Sequence, residues 1–123
     1  GNMIRDFTYI DDIVESLVRV IEKIPKPDPL FNSGMTSSSS WAPYRVFNIG
    51  NSKPIPLMEF IEAIENKIGI RAKKTYFDMQ PGDVSSTSAD TSKLEDWVDF
   101  KPNTSVDQGV SEFVNWYRSF YNL

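Results

Sequence analysis

The sequence predicts a small mixed α/β (α+β) unit of two or three short strands and about four helices. Three observations predict it. Several stretches repeat apolar residues at helical spacing, two short stretches are rich in β-forming residues, and 123 residues that are 40% hydrophobic and 24% charged are typical of a globular domain. Because so few strands cannot form an independent doubly wound sheet, we expect residues 1–123 to be one domain that packs against something else.

The first helix is predicted over 12–23, where apolar residues recur at helical spacing. Asp12 with Glu15 three positions later is typical of a capping pair at a helix start. Three prolines, at positions 25, 27 and 29, end the helix because each removes a backbone donor and fixes its own φ.

A long loop is predicted over 25–43. The serines at 37–40 bring little apolar surface to repay the entropy of ordering, so this loop is expected to be mobile, and a variable surface excursion is the ordinary interpretation. Trp41 at its end either tethers the loop to the domain or belongs to a contact surface. The sequence does not choose between these two roles.

The middle of the chain is predicted to hold a strand, a helix and a second strand. The strand covers 44–49 and the helix 57–68, whose carboxy-terminal cap is Gly69. The second strand covers 72–77 and is followed by a Pro-Gly turn.

Two more helices complete the predicted order. Asp90 is placed to cap a short helix over 91–98, with Leu94 and Trp97 facing inward. Ser105 with Gln108 predicts the start of the last helix. An apolar stripe on that helix is expected to seal the core; its members are Val110, Phe113, Val114, Tyr117 and Phe120.

Composition excludes several classes of function. A net charge of -4 and a pI near 4.8, with no basic block, argue against nucleic-acid binding. The chain has no cysteine and no histidine, which excludes disulfides, thiolate catalysis and the usual zinc sites. No apolar run approaches the roughly 18 residues of a membrane span. A cytoplasmic protein without a membrane partner is the simplest expectation.

The sequence holds no complete catalytic set. Glycine-rich dinucleotide and phosphate loops are absent, as is Gly-x-Ser-x-Gly, and none of the five tyrosines is followed by lysine four positions on. The adjacent Asp11 and Asp12 lack the further oxygen ligands that a hard cation needs. We therefore expect no catalytic residue and no metal site in this chain.

A resemblance to a known family supplies a function. The stretch Arg-Asp-Phe-Thr-Tyr-Ile-Asp-Asp-Ile at 5–13, Asn-Ile-Gly at 48–50, Gln-Pro-Gly-Asp-Val at 80–84 and the aromatic helix around 113–117 occur in this order. Together they resemble the sugar-nucleotide epimerases of the extended short-chain dehydrogenase family, and among these the UDP-glucuronate 4-epimerases most.

The resemblance implies an isomerase that binds NAD and epimerises C4 of a UDP-uronate by removing and returning a hydride. This chain would be the carboxy-terminal, UDP-sugar-binding portion, with the dinucleotide-binding half missing, no NAD site of its own and no turnover alone. A homo-oligomer is a further implication. The alternatives are UDP-glucose 4-epimerase, uronate decarboxylase or dehydratase activity, or a free-standing interaction module that docks through the aromatic residues 116–121.

The resemblance also assigns five substrate-binding residues. It implies that Arg5 contacts the diphosphate and that Asp83 accepts from the ribose hydroxyls; without the motif, Arg5 would be interpreted as a surface ion pair. Gln80 stands where galactose-type relatives have arginine and can donate one neutral hydrogen bond. Leu57 would pack against the uracil, or is simply a core residue. Thr87 would lie beside the hexose.

Overall fold

The computed structural model describes residues 1–32 and 37–123, and within them four helices and one two-stranded sheet. This confirms the predicted class of small mixed α/β unit. The elements are β1 (Ile4–Arg5), α1 (Ile10–Ile21), β2 (Ile55–Pro56), α2 (Leu57–Ile68), α3 (Ser92–Val98) and α4 (Val106–Tyr121).

Helix α1 begins two residues earlier than predicted, and the capping prediction for Asp12 is wrong. Tyr9 is the residue that precedes the helix, and no side chain caps it. Asp12 lies inside the first turn, buried, and its carboxylate accepts a hydrogen bond from the Thr104 backbone at 2.9 Å. The carboxylate thus holds α1 against the segment that leads into α4.

The sheet is smaller than predicted and lies elsewhere. β1 and β2 are antiparallel, with Ile4 opposite Pro56 and Arg5 opposite Ile55. The predicted strands at 44–49 and 72–77 are wrong, since neither range forms a ladder. Their β-forming residues have no described neighbouring strand to pair with beyond one isolated bridge, between Ser39 and Arg45.

Backbone contacts hold the described part of the long loop. Besides the bridge at Ser39, the Asp28 backbone donates to the Ser40 carbonyl at 2.9 Å and the Val46 backbone donates to the Ser38 carbonyl at 3.0 Å. Trp41 is 76% exposed, so its indole does not tether the loop. Gly34, within the predicted mobile stretch, lies outside the described residues, and the mobility of 25–43 stays a prediction.

The ends of the other helices follow the sequence closely. Gly69 has φ +84°, the left-handed conformation expected after α2. The Ser105 hydroxyl accepts from the Gln108 backbone at 3.2 Å, as predicted for α4. Helix α3 begins at Ser92, and the Asp90 carboxylate accepts from the Ser92 backbone at 3.0 Å, so Asp90 serves the helix start from one position further out.

The core is small and sits between the helices. Its buried apolar side chains, each 9% exposed or less, are Leu94, Val98, Val110 and Val114. Helix α2 packs on α4 and α1 packs on α3. The Phe7 and Phe60 rings stack with centroids 3.9 Å apart, which joins the end of β1 to α2. Leu94 is fully buried as predicted, whereas Trp97 is half-buried.

Two helical faces are left uncovered. On α1, apolar side chains are between 47% and 79% exposed: Ile10, Val14, Leu17, Val18 and Ile21. On α4 the exposed aromatics are Phe113, Trp116, Tyr117, Phe120 and Tyr121. The predicted stripe of α4 therefore seals the core only through Val110 and Val114. Among the described residues, no helix has the length and apolar character to cross a bilayer.

Candidate functional site

The candidate site is built around β1, where three segments of backbone run side by side. On one edge β1 pairs with β2, and the Leu57 backbone donates to the Met3 carbonyl at 2.8 Å. On the other edge Ile4 forms a parallel bridge with Ser86. The Ile4 backbone donates to Ser85 at 2.9 Å, and the Thr87 backbone donates to Ile4 at 3.1 Å. This pairing brings the segments that carry Arg5, Leu57 and Thr87 together.

Arg5 and Asp83 form an ion pair, although 78 positions separate them in the sequence. An Arg5 Nη2 to Asp83 Oδ1 distance of 2.8 Å makes this a charge-assisted hydrogen bond. Nη1 of Arg5 donates to the Ile4 carbonyl at 2.9 Å, which fixes the plane of the guanidinium. The side chains are 21% and 40% exposed, so solvent reaches both partners.

A tight turn delivers Asp83 to this position. Gly82 has φ +88°, a conformation that favours glycine, and the Asp83 backbone donates to the Gln80 carbonyl at 3.1 Å. The Val84 backbone donates to the Asp83 carboxylate at 2.8 Å, which orients the carboxylate. The Gln80 side chain, in contrast, donates to the Asp78 carbonyl at 3.4 Å and does not contact Arg5.

The other two predicted residues lie on opposite sides of β1. The Thr87 hydroxyl is exposed and accepts from the Asp6 backbone at 3.4 Å. Leu57 is half-buried and lines a groove of about 270 Å³ with Met58, Ile61 and Tyr76 among others. The structure therefore brings Arg5, Asp83 and Thr87 together, and places Leu57 and the Gln80 side chain at the periphery.

One residue at the centre of this arrangement was missed by sequence reasoning. The Asp6 carboxylate accepts backbone hydrogen bonds from Ser52 at 3.0 Å, Ala89 at 3.2 Å and, more weakly, Lys53 at 3.4 Å. Its position inside the Arg-Asp-Phe motif was the available signal. The adjacent Asp6 is not the partner of Arg5, which pairs with Asp83.

The segment after α2 is fixed by a buried carboxylate next to this site. Glu65 lies on α2, and its carboxylate accepts hydrogen bonds from the Lys74 ammonium, from Arg71 at 2.8 Å and from the Ala72 backbone at 2.8 Å. The hydrogen bond from Lys74, followed by those from Arg71 and Ala72, lowers the pKa of Glu65 to about 2. These contacts hold residues 71–74 against α2, beside the groove that Leu57 lines.

A second groove is apolar and is a poor candidate for an anion. It has a volume of about 450 Å³, lies between α2 and α4, and is lined by residues such as Phe7, Phe60, Val106 and Phe113, with no charged side chain. A phosphate is best matched by a cationic side chain, which Arg5 offers and the lining of this groove does not. Within 1–32 and 37–123, no cluster of three or more acidic side chains is placed to hold a metal ion.

Known proteins resemble the chain along nearly its whole length, although no protein-family model matches it. It is 51% identical over 122 residues to Protein CapI of Staphylococcus aureus, covering 98% of this chain and 36% of that protein. It is 42% identical over 123 residues to a probable UDP-glucuronate 4-epimerase of Rhizobium meliloti, again covering 98% of this chain and 36% of the relative. The chain thus spans just over a third of the length of these relatives.

A solved structure agrees with the sequence comparison. UDP-glucuronic acid 4-epimerase from Bacillus cereus, in complex with UDP-glucuronic acid and NAD, superposes with a TM-score of 0.74 at 26% identity. The superposition covers 98% of this chain and 34% of that enzyme. The resemblance deduced from the motifs at 5–13 and 80–84 is confirmed.

Proposed function

We infer that the chain is the UDP-sugar-binding portion of an NAD-dependent UDP-uronate 4-epimerase and that it does not catalyse the reaction alone. The inference starts from its similarity, over nearly its whole length, to UDP-glucuronate 4-epimerases. The observation that carries this proposal is the convergence of Arg5, Asp83 and Thr87 at β1. The chain brings together a cation, a carboxylate and a hydroxyl, which are the groups that a diphosphate, a ribose and a sugar require.

Arg5 is the proposed diphosphate ligand. A guanidinium presents fixed donors that match two oxygens of a phosphate, which an ammonium cannot do. Because its Nη1 is already bonded to the Ile4 carbonyl, the group is held in one plane at the edge of the site. Phosphate oxygens would therefore compete with Asp83 for Nη2 of Arg5.

Asp83 is the proposed ribose ligand and is released by this competition. Once a phosphate takes the Arg5 donor, the carboxylate can accept from ribose hydroxyls while the Val84 backbone still orients it. Thr87 has an exposed hydroxyl beside β1 and is the proposed sugar contact. Gln80 and Leu57 would complete the site at its edges.

The cofactor is assigned to the rest of the enzyme. When bound, NAD would accept the hydride from the sugar and return it. This chain has neither the glycine-rich turn that cradles a dinucleotide nor a Tyr-x-x-x-Lys pair. Its residues therefore do not fit NAD, and we assign them to binding and orienting the nucleotide sugar.

The proposal is tested by titrating the isotope-labelled chain with UDP and following backbone amide shifts by NMR. A dissociation constant around the millimolar level is expected, which corresponds to about -4 kcal/mol. Arg5→Ala should raise this dissociation constant about tenfold, which is a loss of about 1.4 kcal/mol in binding free energy. Arg45→Ala is the matched control, because Arg45 also donates to the carbonyl of the preceding residue, whereas the ion-pair partner of Asp83 is Arg5. Tight NAD binding, or equal effects of the two substitutions, would contradict the proposal.

Related reactions on a similar ligand remain alternatives: UDP-glucose 4-epimerisation, uronate decarboxylation or dehydration. A product assay that compares UDP-glucuronate with UDP-glucose, in the full-length protein, separates them. The interaction module is favoured by one observation, the exposed aromatic face of α4. If Trp116→Ala abolished binding of a protein partner while UDP shifted no amide of the chain, that module would be the better interpretation.

A further inference from the structure

We propose that Asp6 is the positioning residue of the nucleotide site, and this inference rests on the proposed function. Its carboxylate joins three separate segments: β1, residues 50–53 and residues 87–89. Oδ2 accepts from the backbones of Ser52 and Ala89 at 3.0 and 3.2 Å, while Oδ1 accepts from Lys53 at 3.4 Å. The Asp6 backbone in turn donates to the Thr87 hydroxyl at 3.4 Å.

Each of the three segments carries a proposed ligand a few positions away. Arg5 is the neighbour of Asp6 in β1, residues 50–53 lead through β2 to Leu57, and Thr87 lies two positions before Ala89. Hydrogen bonds to an ionised acceptor are about twice as strong as neutral ones. A single half-buried carboxylate therefore sets the spacing between ligands that come from distant parts of the sequence.

Ser52 shows that this junction holds the backbone in a conformation it would not adopt by itself. Its φ is +56°, which is uncommon for any residue but glycine. The Ser52 backbone donates to Asp6, while the Ser52 hydroxyl donates to the Ala89 carbonyl at 2.9 Å and shares a hydrogen bond with the Thr91 hydroxyl at 2.8 Å. Such a backbone conformation persists only where several surrounding contacts stabilise it together.

Gly50 shows that the same junction has no spare room. A Cβ built on Gly50 would lie 2.5 Å from the Cβ of Ala89 and 3.2 Å from Oδ2 of Asp6. The two segments are therefore in contact at the point where Asp6 binds both. Loss of the carboxylate would let them separate, and Arg5 and Thr87 would move with them.

Asp6 itself is not offered as a ligand, because both of its oxygens are used by backbone amides. It acts through Arg5 and Thr87. This distinguishes it from Asp83, whose carboxylate is 40% exposed and paired with a side chain that can exchange.

The test compares Asp6→Ala with Asp12→Ala in the whole chain. Asp12 is the matched control because its buried carboxylate also accepts a backbone hydrogen bond, from Thr104 at 2.9 Å, but accepts none of the bonds that join the three segments. Thermal unfolding and the UDP dissociation constant are measured for both. Both substitutions should lower the melting temperature. Only Asp6→Ala should raise the dissociation constant for UDP, by about tenfold, and shift the Arg5 and Thr87 resonances.

Asp6→Asn provides a milder variant should Asp6→Ala fail to fold. Its amide keeps one oxygen acceptor, so a loss of about threefold in UDP affinity is expected. Unchanged UDP binding in a folded Asp6 variant, or an equal loss in Asp12→Ala, would overturn the positioning role. Arg5→Ala measured alongside separates the two proposals: if it also leaves UDP binding unchanged, the proposed function itself fails, and if it alone weakens binding, only the role of Asp6 fails.

Discussion

The surroundings of β1 and the outer face of α1 differ in how far the chain completes them. Around β1, each backbone segment finds partners within the chain, through the Arg5 to Asp83 pair and the three amides on Asp6. On α1, four apolar side chains stay 47% to 79% exposed: Val14, Leu17, Val18 and Ile21. Exposed apolar side chains grouped on one helix face are typical of interaction sites. The polar groups around β1 thus have partners within the chain, whereas the apolar face of α1 is left exposed.

The largest expected effect separates the true core from the uncovered face. Leu94→Ala should lower the free energy of unfolding by about 2–5 kcal/mol, because Leu94 is fully buried and leaves a cavity. Leu17→Ala, on the exposed face of α1, should cost under about 0.5 kcal/mol. Urea unfolding of both variants measures the difference. Equal costs would mean that the face of α1 is covered, for example by a second copy of the chain.

A smaller effect, with opposite signs for two ligands, sharpens the description of the polar junction. Asp83→Asn removes the carboxylate that competes for Arg5, so pyrophosphate should bind about threefold more tightly. UDP should bind about threefold more weakly, since the proposed ribose acceptor loses its charge. NMR titration with each ligand decides. If both affinities moved in the same direction, Asp83 could not hold the two roles.

The last prediction concerns acid, and its effect is confined to low pH. The pKa of Glu65 is lowered to about 2, from a usual 4.5, mainly by Lys74 and then by Arg71. A carboxyl whose folded pKa is depressed adds stability that is complete above about pH 4.5 and is lost as the pH falls toward 2. Glu65→Gln should flatten the stability profile between those values and leave the Arg5 pair intact. Chemical denaturation from pH 6 to 2.5 measures this, and an unchanged slope would contradict it.

The helices could be predicted from the sequence because their signals are local. The bounds of α2 match the periodicity, and the Ser105 cap of α4 is where the residue types place it. The start of α1 was misjudged because Asp12 resembles a cap, whereas its carboxylate bonds to Thr104, 92 positions away. β2 was missed because a two-residue strand that contains Pro56 has no period to detect.

The site was predictable only as far as the family motifs extend. They named Arg5 and Asp83 as separate ligands, yet no spacing rule could reveal that the two contact each other. The role of Asp6 is not predictable in this way because its partners are backbone amides. Every residue except proline has such an amide, so the partners leave no pattern of residue types in the sequence. The strand predictions at 44–49 and 72–77 failed for a related reason: β-forming residues show a preference for pairing, but the partner is set by the tertiary fold.

If the proposed function holds, the ion pair between Arg5 and Asp83 also bears on how a nucleotide approaches the site. Asp83 neutralises Arg5 locally, and the chain as a whole carries a charge of -4. The net charge therefore gives a polyanion no overall attraction, and any steering would have to come from the local distribution of positive charge. Added salt screens the overall repulsion, so we expect it to speed the association of a polyanion rather than slow it.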